Sequence, residues 1–374
     1  MLSIDFSSLS TEQIISLADA ELAAGLADWQ KNIWNFISDW YRYPDKRVAV
    51  TSSGSTGAPK QILHSHQAML ASAAMTCEAL ALKPGDTALL CLPVTKISGM
   101  MMVVRCIYNK MKIYCVEPSL RPLSGLDLFS PSTLAKGPGG EDIDFASFTP
   151  AQFYEIMESD KAFETAQRLH KIILGGEEVR GAMSQRIRTM PNEVYATFGM
   201  TETISHIALK RLNCPATDKG YKVLPGISIH SNYTNCLVIE APQLGQPHLE
   251  TNDIIRIIGP GEFEWLGRKD NIINSGGIKI NPEELEGQLA AQITSPFFIS
   301  AVIDDRLGQK LVLVMQADKV NEEQLNNIRS SVHPLEKTHH PREILLIHQF
   351  ARTETGKIKR RETLLQEILQ RIEL

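Results

Sequence analysis

Between Arg47 and Thr197 short apolar runs alternate with stretches of helical periodicity. That alternation restricts the fold more than any other feature, because it is the signature of a parallel α/β sheet with helices laid across its faces. The strand-like runs are Arg47–Val50, Thr87–Leu92, Lys112–Val116, Phe145–Thr149, Lys171–Leu174 and Glu193–Thr197, and the intervening helices are expected to begin near Ser65, Ile97, Pro150 and Glu178. In the first helix Met69, Leu70, Ala73, Ala74, Cys77 and Leu80 recur at a spacing of three to four, the stripe with which a helix packs on a sheet. From Leu123 to Gly140 the chain runs through Ser, Pro and Gly, so a mobile surface loop is expected. The helical signal fades from His206 to Trp265. Short strands over Tyr221–Leu224, Leu237–Glu240, Ile254–Ile258 and Phe263–Leu266 indicate a small β-rich subdomain there.

Charges at Gly267-Arg268-Lys269-Asp270-Asn271 separate two apolar runs and mark a boundary, giving an N-terminal domain over 1–267 and a C-terminal domain over 268–374. The second is expected to be α+β, with helix Pro282–Ala290, strands Phe298–Ile303 and Leu311–Gln316, helix Glu322–Val332, strand Glu343–Ile347 and a terminal helix from Arg361. At 374 residues the chain is long enough for two or three cores. Its formal net charge of -5 gives no basic footprint for nucleic acid or an anionic membrane. Cys77, Cys91, Cys106, Cys115, Cys214 and Cys236 include no C-x-x-C pair and mostly fall in apolar runs, as reduced core residues in a reducing cytosol do. Met1–Phe6 carries no basic or apolar leader pattern, and no long uncharged apolar stretch follows, so a cytoplasmic location is expected. The ten histidines show no metal-ligand spacing, so a tightly held protein-ligated metal is not expected.

Chemistry concentrates first in Thr51-Ser52-Ser53-Gly54-Ser55-Thr56-Gly57-Ala58-Pro59-Lys60, between a β-prone run and a helical pattern. Glycines let backbone amides approach a ligand, hydroxyls offer donors and Lys60 a charge, a combination suited to phosphate. It is not a Walker loop, since Pro59 precedes the lysine and Gln61 follows it. A flexible Ser/Gly linker is the plainer alternative.

This loop, Phe198-Gly-Met-Thr-Glu202, Gly267-Arg-Lys-Asp-Asn271 and Arg352-Thr-Glu-Thr-Gly-Lys-Ile358 come in an order that resembles the adenylate-forming superfamily of acyl- and aryl-CoA ligases, peptide-synthetase adenylation domains and luciferases. The resemblance runs from about Val48 to the C-terminus. It implies a large N-terminal domain of parallel α/β sheet with a β-rich subdomain, a small mobile α+β C-terminal lid, and a two-step reaction through an acyl-adenylate. On that resemblance Thr51, Ser52, Ser53, Gly54, Ser55, Thr56, Gly57 and Lys60 hold the β- and γ-phosphates of ATP, Thr201 bonds the α-phosphate, and Glu202 holds Mg²⁺. Taken alone, Thr201-Glu202 would be only the first turn of a helix. Phe198 stands where the family usually has tyrosine and keeps the stack on adenine, with Gly199 beside it. Gly175-Gly176-Glu177 resembles the adenine-contacting turn; alone it is a βα turn. Asp253 resembles the aspartate that receives both ribose hydroxyls, although Asn252 replaces a common glycine, so a different local turn is expected. Arg268 is expected near ribose or phosphate, and Asp270 at the hinge about which the lid turns. Lys357 resembles the lysine that bridges carboxylate and α-phosphate, and after pyrophosphate leaves Ser275–Ile280 replaces it at the site. A thiol then attacks, so no protein nucleophile is required.

Leu92–Arg105 occupies the acid-specificity region, with Lys96 near a position where many members carry an aromatic or histidine. This segment, with Asn271-Ile-Ile-Asn-Ser-Gly-Gly, resembles the short bacterial o-succinylbenzoate–CoA ligases of menaquinone synthesis. Such an acid has a second carboxylate, which Lys96 or Arg105 would offset, near Ser98 and Gly99. Lys96 capping its helix or facing solvent, and Arg105 pairing on the helix surface, are the alternatives. ATP, Mg²⁺ and coenzyme A are the implied ligands, and a homo-oligomer is compatible with them. A different aromatic acid or a carrier-protein phosphopantetheine acceptor is the rival reading. Family members usually have well over a hundred residues before the phosphate loop. Here there are 50, and the helix-prone Thr11–Tyr41 is expected to cover the remaining sheet edge.

Overall fold

The computed structural model describes residues 2–51, 60–124, 142–176, 179, 181–213, 220–290, 292–293, 295–353 and 358–374. The chain forms two compact units, one of Met1–Glu178, Ile187–Ile229 and Ile239–Leu249, the other of Val179–Arg186, His230–Val238 and Glu250–Leu374.

In chain order the elements begin with β1 (Leu2–Asp5), α1 (Thr11–Ala23), α2 (Asp28–Arg42), β2 (Val48–Thr51), β3 (Gln61–His64), α3 (His66–Ala79), β4 (Thr87–Leu90), α4 (Ile97–Tyr108) and β5 (Lys112–Cys115). Then come β6 (Phe145–Phe148), α5 (Pro150–Met157), α6 (Asp160–Gln167), β7 (Lys171–Leu174), α7 (Gly181–Ile187), β8 (Glu193–Gly199), β9 (His206–Arg211) and β10 (Tyr221–Val223). The first unit's sheet runs β1-β5-β4-β6-β7-β8-β9-β10. Strands β5, β4, β6, β7 and β8 are mutually parallel, as the alternation of runs and helices requires. All four residues of β4 and of β6 are buried, which is why these strands read as continuous apolar runs rather than alternating ones. Ser65 caps α3 by accepting from the Ala68 amide, and Thr149 caps α5 by accepting from Gln152, so both helices start where the sequence places them. The helix expected near Glu178 is α7, with Glu177 and Glu178 outside the described residues, as is the greater part of the expected loop after Leu123.

Two departures affect the sheet and its phosphate loop. The strand beside β5 is β1, antiparallel with Leu2 opposite Cys115, so an N-terminal strand rather than the Thr11–Tyr41 helices pairs that edge. The helical stretch itself breaks at Ala24–Gly25 into α1 and α2. Moreover, β2 pairs antiparallel with β3, Thr51 opposite Gln61 and Val48 opposite His64. The phosphate loop therefore joins two strands of a hairpin, and α3 begins only after β3. Gln61-Ile62-Leu63-His64 carries no strand signal of its own, because its apolar pair is too short to fix a period.

The remaining elements are β11 (Ser228–Ser231), β12 (Cys236–Ala241), β13 (Gln246–Gly259), β14 (Glu262–Arg268), β15 (Ile273–Ser275), β16 (Ile278–Ile280), α8 (Pro282–Leu289), β17 (Phe297–Asp304), β18 (Gly308–Gln316), α9 (Glu322–Val332), β19 (Glu343–Ile347), α10 (Arg360–Leu364) and β20 (Gln370–Glu373). In the second unit β17-β18-β19-β20 form a sheet in which only β18 and β19 are parallel. Ile299, Leu311, Leu313, Ile344 and Leu346 pack on one face with Leu285 and Leu289 of α8 and Ile328 and Val332 of α9. Phe298, Val312, Val314, Leu345 and Ile347 face the other way, against Phe350 and Leu364. The terminal helix from Arg361 is short and gives way to β20, whose pairing with β19 from Glu343↔Glu373 to Leu346↔Gln370 outweighs its helix-forming composition.

Candidate active site

The ends of β7 and β8 and the turn after β8 carry six sequence-marked positions, Gly175, Gly176, Phe198, Gly199, Thr201 and Glu202. Gly175 follows β7 half-buried, beside Thr197, whose hydroxyl donates to the Leu174 carbonyl at 3.3 Å. Gly176 is exposed, and Glu177 lies outside the described residues. Phe198 is half-buried on β8 with the Tyr221 ring 5.6 Å away at 59°. The register between β8 and β9 shifts between Phe198 and Gly199, and a Cβ at Gly199 would lie 2.3 Å from the Ser205 carbonyl oxygen. Only hydrogen fits there.

Thr201–Thr203 form one 3-10 turn between two strands rather than the start of an α-helix. Glu202 is half-buried in it. Thr203 Oγ1 accepts from the Met200 amide at 3.1 Å, and Ile204 follows at φ 69° and ψ −55° with the Ser205 amide donating to the Thr203 carbonyl at 2.7 Å. This is a γ-turn of the rare, strained hand, at a fully buried β-branched residue. His64, at the end of β3, is buried beside this turn. Burial pushes its imidazole below the usual range, opposed by a hydrogen bond to the Thr201 backbone and by the Glu202 charge. His64 thus brings the base of the phosphate-loop hairpin beside Thr201 and Glu202. Thr51 and Lys60 are exposed at the hairpin's mouth; Ser52, Ser53, Gly54, Ser55, Thr56 and Gly57 lie outside the described residues.

The acid-side segment leaves the carboxyl end of β4, where the strand order reverses between β5 and β6. Ligands in open α/β sheets bind at such a switch point. Gly99 in the first turn of α4 presses on the chain below, since a Cβ would stand 2.3 Å from the Pro93 carbonyl oxygen. Lys96 is the N-cap residue by backbone geometry, but its side chain makes no capping bond. Ser98 is exposed. Arg105 does not pair on the helix surface as one alternative held, because α4 turns it inward, and it is 2% exposed. Its Nη2 donates to Ser205 Oγ at 2.7 Å, and among the described residues its Nη1 reaches only Met102 Sδ at 3.8 Å and its buried Nε meets no partner. Among the described residues no carboxylate forms an ion pair with it. Burial brings its guanidinium down to about 10. Burial pushes Cys77 up to about 11 and raises Cys91, Cys106 and Cys115 as well. Those thiols are core packing, not nucleophiles.

In the second unit Asp253 is 6% exposed on β13, opposite Arg268 of β14. Its Oδ1 accepts from Trp265 Nε1 at 2.9 Å, with Arg268 Nη1 at 3.6 Å, yet burial outweighs both and holds the carboxyl above its usual range. Arg268 Nη2 also donates to Asp270 Oδ2 at 3.0 Å, so its guanidinium bridges two carboxylates. Asn252 lies within β13 and donates to the same Asp270 oxygen at 3.2 Å, so no special turn is present at this position. Ser275–Ile280 is the hairpin of β15 and β16, closed by a two-residue turn at Gly276-Gly277. Lys357 lies outside the described residues; Arg352 and Ile358, on either side of it in sequence, form a β-bridge. Trp265, Tyr221, His64, Ser205 and His206 carry no signal in the sequence, because each gains its role from a residue on another element.

The AMP-binding enzyme family model matches residues 44–235. An acyl-CoA synthetase (AMP-forming)/AMP-acid ligase II-like protein from Dyadobacter fermentans DSM 18053 is 33% identical, with 97% of this chain and 98% of that one covered at a TM-score of 0.63. The 2-succinylbenzoate–CoA ligase of Lactococcus lactis subsp. lactis (strain IL1403) is 25% identical over 339 residues, 86% of this chain and 71% of that protein. Its counterpart in Escherichia coli (strain K12) is 26% identical over 293 residues, and there the match spans 60% of the relative's length and 74% of this chain. The o-succinylbenzoate CoA synthetase of Bacillus subtilis, in complex with the acyl-adenylate intermediate OSB-AMP, shares the fold at 20% identity and a TM-score of 0.68, covering 87% of this chain and 70% of its own.

Proposed function

Because the chain belongs to the AMP-binding enzyme family, we propose that it is an AMP-forming acid–CoA ligase for an acid bearing a second carboxylate, with 2-succinylbenzoate the candidate. The observation that carries the choice of acid is Arg105. A wholly buried cation with an unmet donor on Nε and no carboxylate partner among the described residues is costly to hold unless a ligand supplies the anion. The relatives' names supply an acid with a carboxylate to spare.

In the first step a carboxylate oxygen of the acid attacks the α-phosphorus of ATP, and the bond to the β-phosphate oxygen breaks as pyrophosphate departs. Charge gathers on the transferring phosphorus and the leaving group, so donors and cations must surround both. Thr201 would donate to the α-phosphate, Phe198 would stack on adenine beside Gly175 and Gly176, and the β2–β3 hairpin would hold the outer phosphates. Asp253, whose Oδ1 meets Trp265 and Arg268, would receive the ribose hydroxyls. Glu202 is a half-buried carboxylate, and Mg²⁺, which binds one or two carboxylates together with phosphate oxygens and its own waters, suits such a donor. Bound with ATP, that ion would neutralise phosphate charge. Lys357 would bridge acid and α-phosphate and then withdraw as residues from 268 onward turn about Asp270. The thiol of coenzyme A then attacks the acyl carbon, its proton passing to solvent, and the C–O bond to AMP breaks.

Pyrophosphate and AMP measured with and without coenzyme A, over acids with and without a second carboxylate, test this reading. Release of AMP and a CoA thioester selectively from the dicarboxylic acid is expected. ADP as product would refute adenylation, and AMP without a CoA thioester would point to a carrier-protein acceptor.

A further inference from the structure

We infer that Ser205, His206 and Thr76 form a one-way hydrogen-bond chain that fixes the Arg105 fork for the acid's second carboxylate, making His206 a positioning residue for acid selection. The inference rests on the reading of Arg105 above.

The direction of the chain follows from counting hydrogens. Thr76, in α3, is fully buried and its Oγ1 lies 3.1 Å from the Ser72 carbonyl oxygen. A carbonyl only accepts, so the threonine's single hydroxyl hydrogen goes there. Toward His206 Nε2, also at 3.1 Å, Thr76 Oγ1 can then only accept, so Nε2 carries a hydrogen. His206 is 5% exposed, and burial together with the Arg105 charge holds the ring neutral. Its Nδ1 is therefore a bare lone pair, and Ser205 Oγ, 3.4 Å away, must point its hydrogen at it. That leaves the serine oxygen only accepting, which it does from Arg105 Nη2 at 2.7 Å.

Each donor thus meets an acceptor in one sequence, from Arg105 Nη2 through Ser205, His206 and Thr76 to the carbonyl of Ser72. Bonds aligned head to tail polarise one another, and reversing any one of them sets two hydrogens or two lone pairs face to face. The chain grips only one corner of the guanidinium. Nε and Nη1, met among the described residues by nothing stronger than the Met102 sulfur, are left for a carboxylate. The chain acts on the cation assigned to the distal carboxylate and not on the reacting one, so its loss is expected in recognition rather than in chemistry.

The test compares 2-succinylbenzoate with an analogue whose distal carboxylate is replaced by methyl, using purified full-length enzyme, pyrophosphate release and thermal melting. His206→Leu and Thr76→Val should raise KM for the diacid roughly tenfold, with kcat and KM for ATP changed by less than about twofold. His206→Gln keeps a donor for Thr76 and an acceptor for Ser205, and Thr76→Ser keeps the hydroxyl, so both should restore KM to within about threefold of wild type. An Arg105→Lys variant separates the two readings. If it fails to lower preference for the diacid over the analogue, the assignment of Arg105 itself is wrong. If it lowers that preference while His206→Leu and Thr76→Val melt normally and keep the wild-type KM, the positioning chain is refuted and the Arg105 reading stands. Long-range ¹H–¹⁵N spectra of the wild type give a check independent of how the variants fold. The Nε2–H tautomer is expected for His206, and the Nδ1–H form would overturn the chain.

Discussion

Replacing Arg105 by methionine should make the unliganded protein more stable and at the same time blind to the second carboxylate. The guanidinium is carried from its ordinary 12.5 down to about 10 by burial, and at 1.36 kcal/mol per pH unit that is about 3 kcal/mol against the charged form. Since about 10 is still above neutral pH, the folded chain holds the charge and bears that penalty. Methionine has similar length, joins Met102 and Cys77, and carries no charge to desolvate. Its gain is reduced by the lost bond to Ser205, worth about 1 kcal/mol or somewhat more for a charged donor. A net stabilisation of roughly 1–2 kcal/mol follows, or a rise in melting temperature of roughly 2–8 °C. Without the cation, kcat/KM for 2-succinylbenzoate should fall roughly 30- to 1000-fold, whereas the analogue without that carboxylate should change by less than about threefold. Melting curves without ligand and pyrophosphate-release kinetics read the two effects separately. A variant that melts several degrees lower, or that loses both acids equally, would show that Arg105 serves the fold and refute the reasoning.

Other outcomes follow from the same geometry. Gly199→Ala sets a Cβ 2.3 Å from the Ser205 carbonyl, so the β8–β9 bulge must open; adenylation is expected to drop at least roughly 100-fold, and near-normal AMP formation would show that the bulge yields freely. Trp265→Phe removes the 2.9 Å donor to Asp253, and KM for ATP should rise roughly tenfold with the acid's KM unchanged; equal changes in both would contradict a ribose role. His64 and His206 are both held below their ordinary 6.5 by burial, so the unfolded chain binds protons first. Their contribution to stability is complete above pH 6.5 and is lost as pH falls below it toward the folded values. Denaturant midpoints taken between pH 7 and 5 should fall less steeply in His206→Gln than in wild type, and parallel curves would rule out the contribution of His206. Lys357→Ala should impair adenylation far more than thioester formation from supplied acyl-adenylate, and equal losses would contradict its assigned step.

How much the sequence discloses depends on whether a residue's partner is near it in the chain. The parallel strands and their helices were legible because each carries its own period, cap and length; the Ser65 and Thr149 caps are local events. The hairpin on which the phosphate loop rides was not, since β3 is four residues of mixed polarity and its pairing partner lies across the loop. The same holds for β1, whose four residues become a strand only against β5. The motif residues Phe198, Thr201, Glu202, Asp253 and Arg268 are marked by resemblance, but what holds each of them is not. Trp265 reaches Asp253 across β13 and β14, and Ser205 reaches Arg105 from a position 100 residues away. A buried arginine cannot be told from a solvated one by sequence, because α4 carries small and apolar residues on nearly every face.

The strain at Ile204 and the unmet charge at Arg105 explain each other better than either can be explained alone. A non-glycine residue at φ 69° costs on the order of 1–3 kcal/mol, and a fully buried isoleucine would be content in an ordinary β-bulge. What the γ-turn accomplishes is a reversal within one residue, since the Ser205 amide bonds back to the Thr203 carbonyl while Gly199 lies opposite His206. The chain leaves Thr201 and Glu202 in the 3-10 turn and re-enters β9 with Ser205 beside Arg105. A longer, relaxed connection would put more residues between the group proposed for the α-phosphate and the serine that grips the arginine. It would also let the two move independently. With the turn as it is, a displacement of the Ser205 backbone, unlike a mere turn of its hydroxyl, is transmitted to Thr201 through three residues, two of them buried. Ile204→Gly, which relieves the φ but empties a buried site, should therefore loosen selection of the diacid and adenylation together. A variant in which one suffers without the other would show that the strained turn is only a consequence of packing.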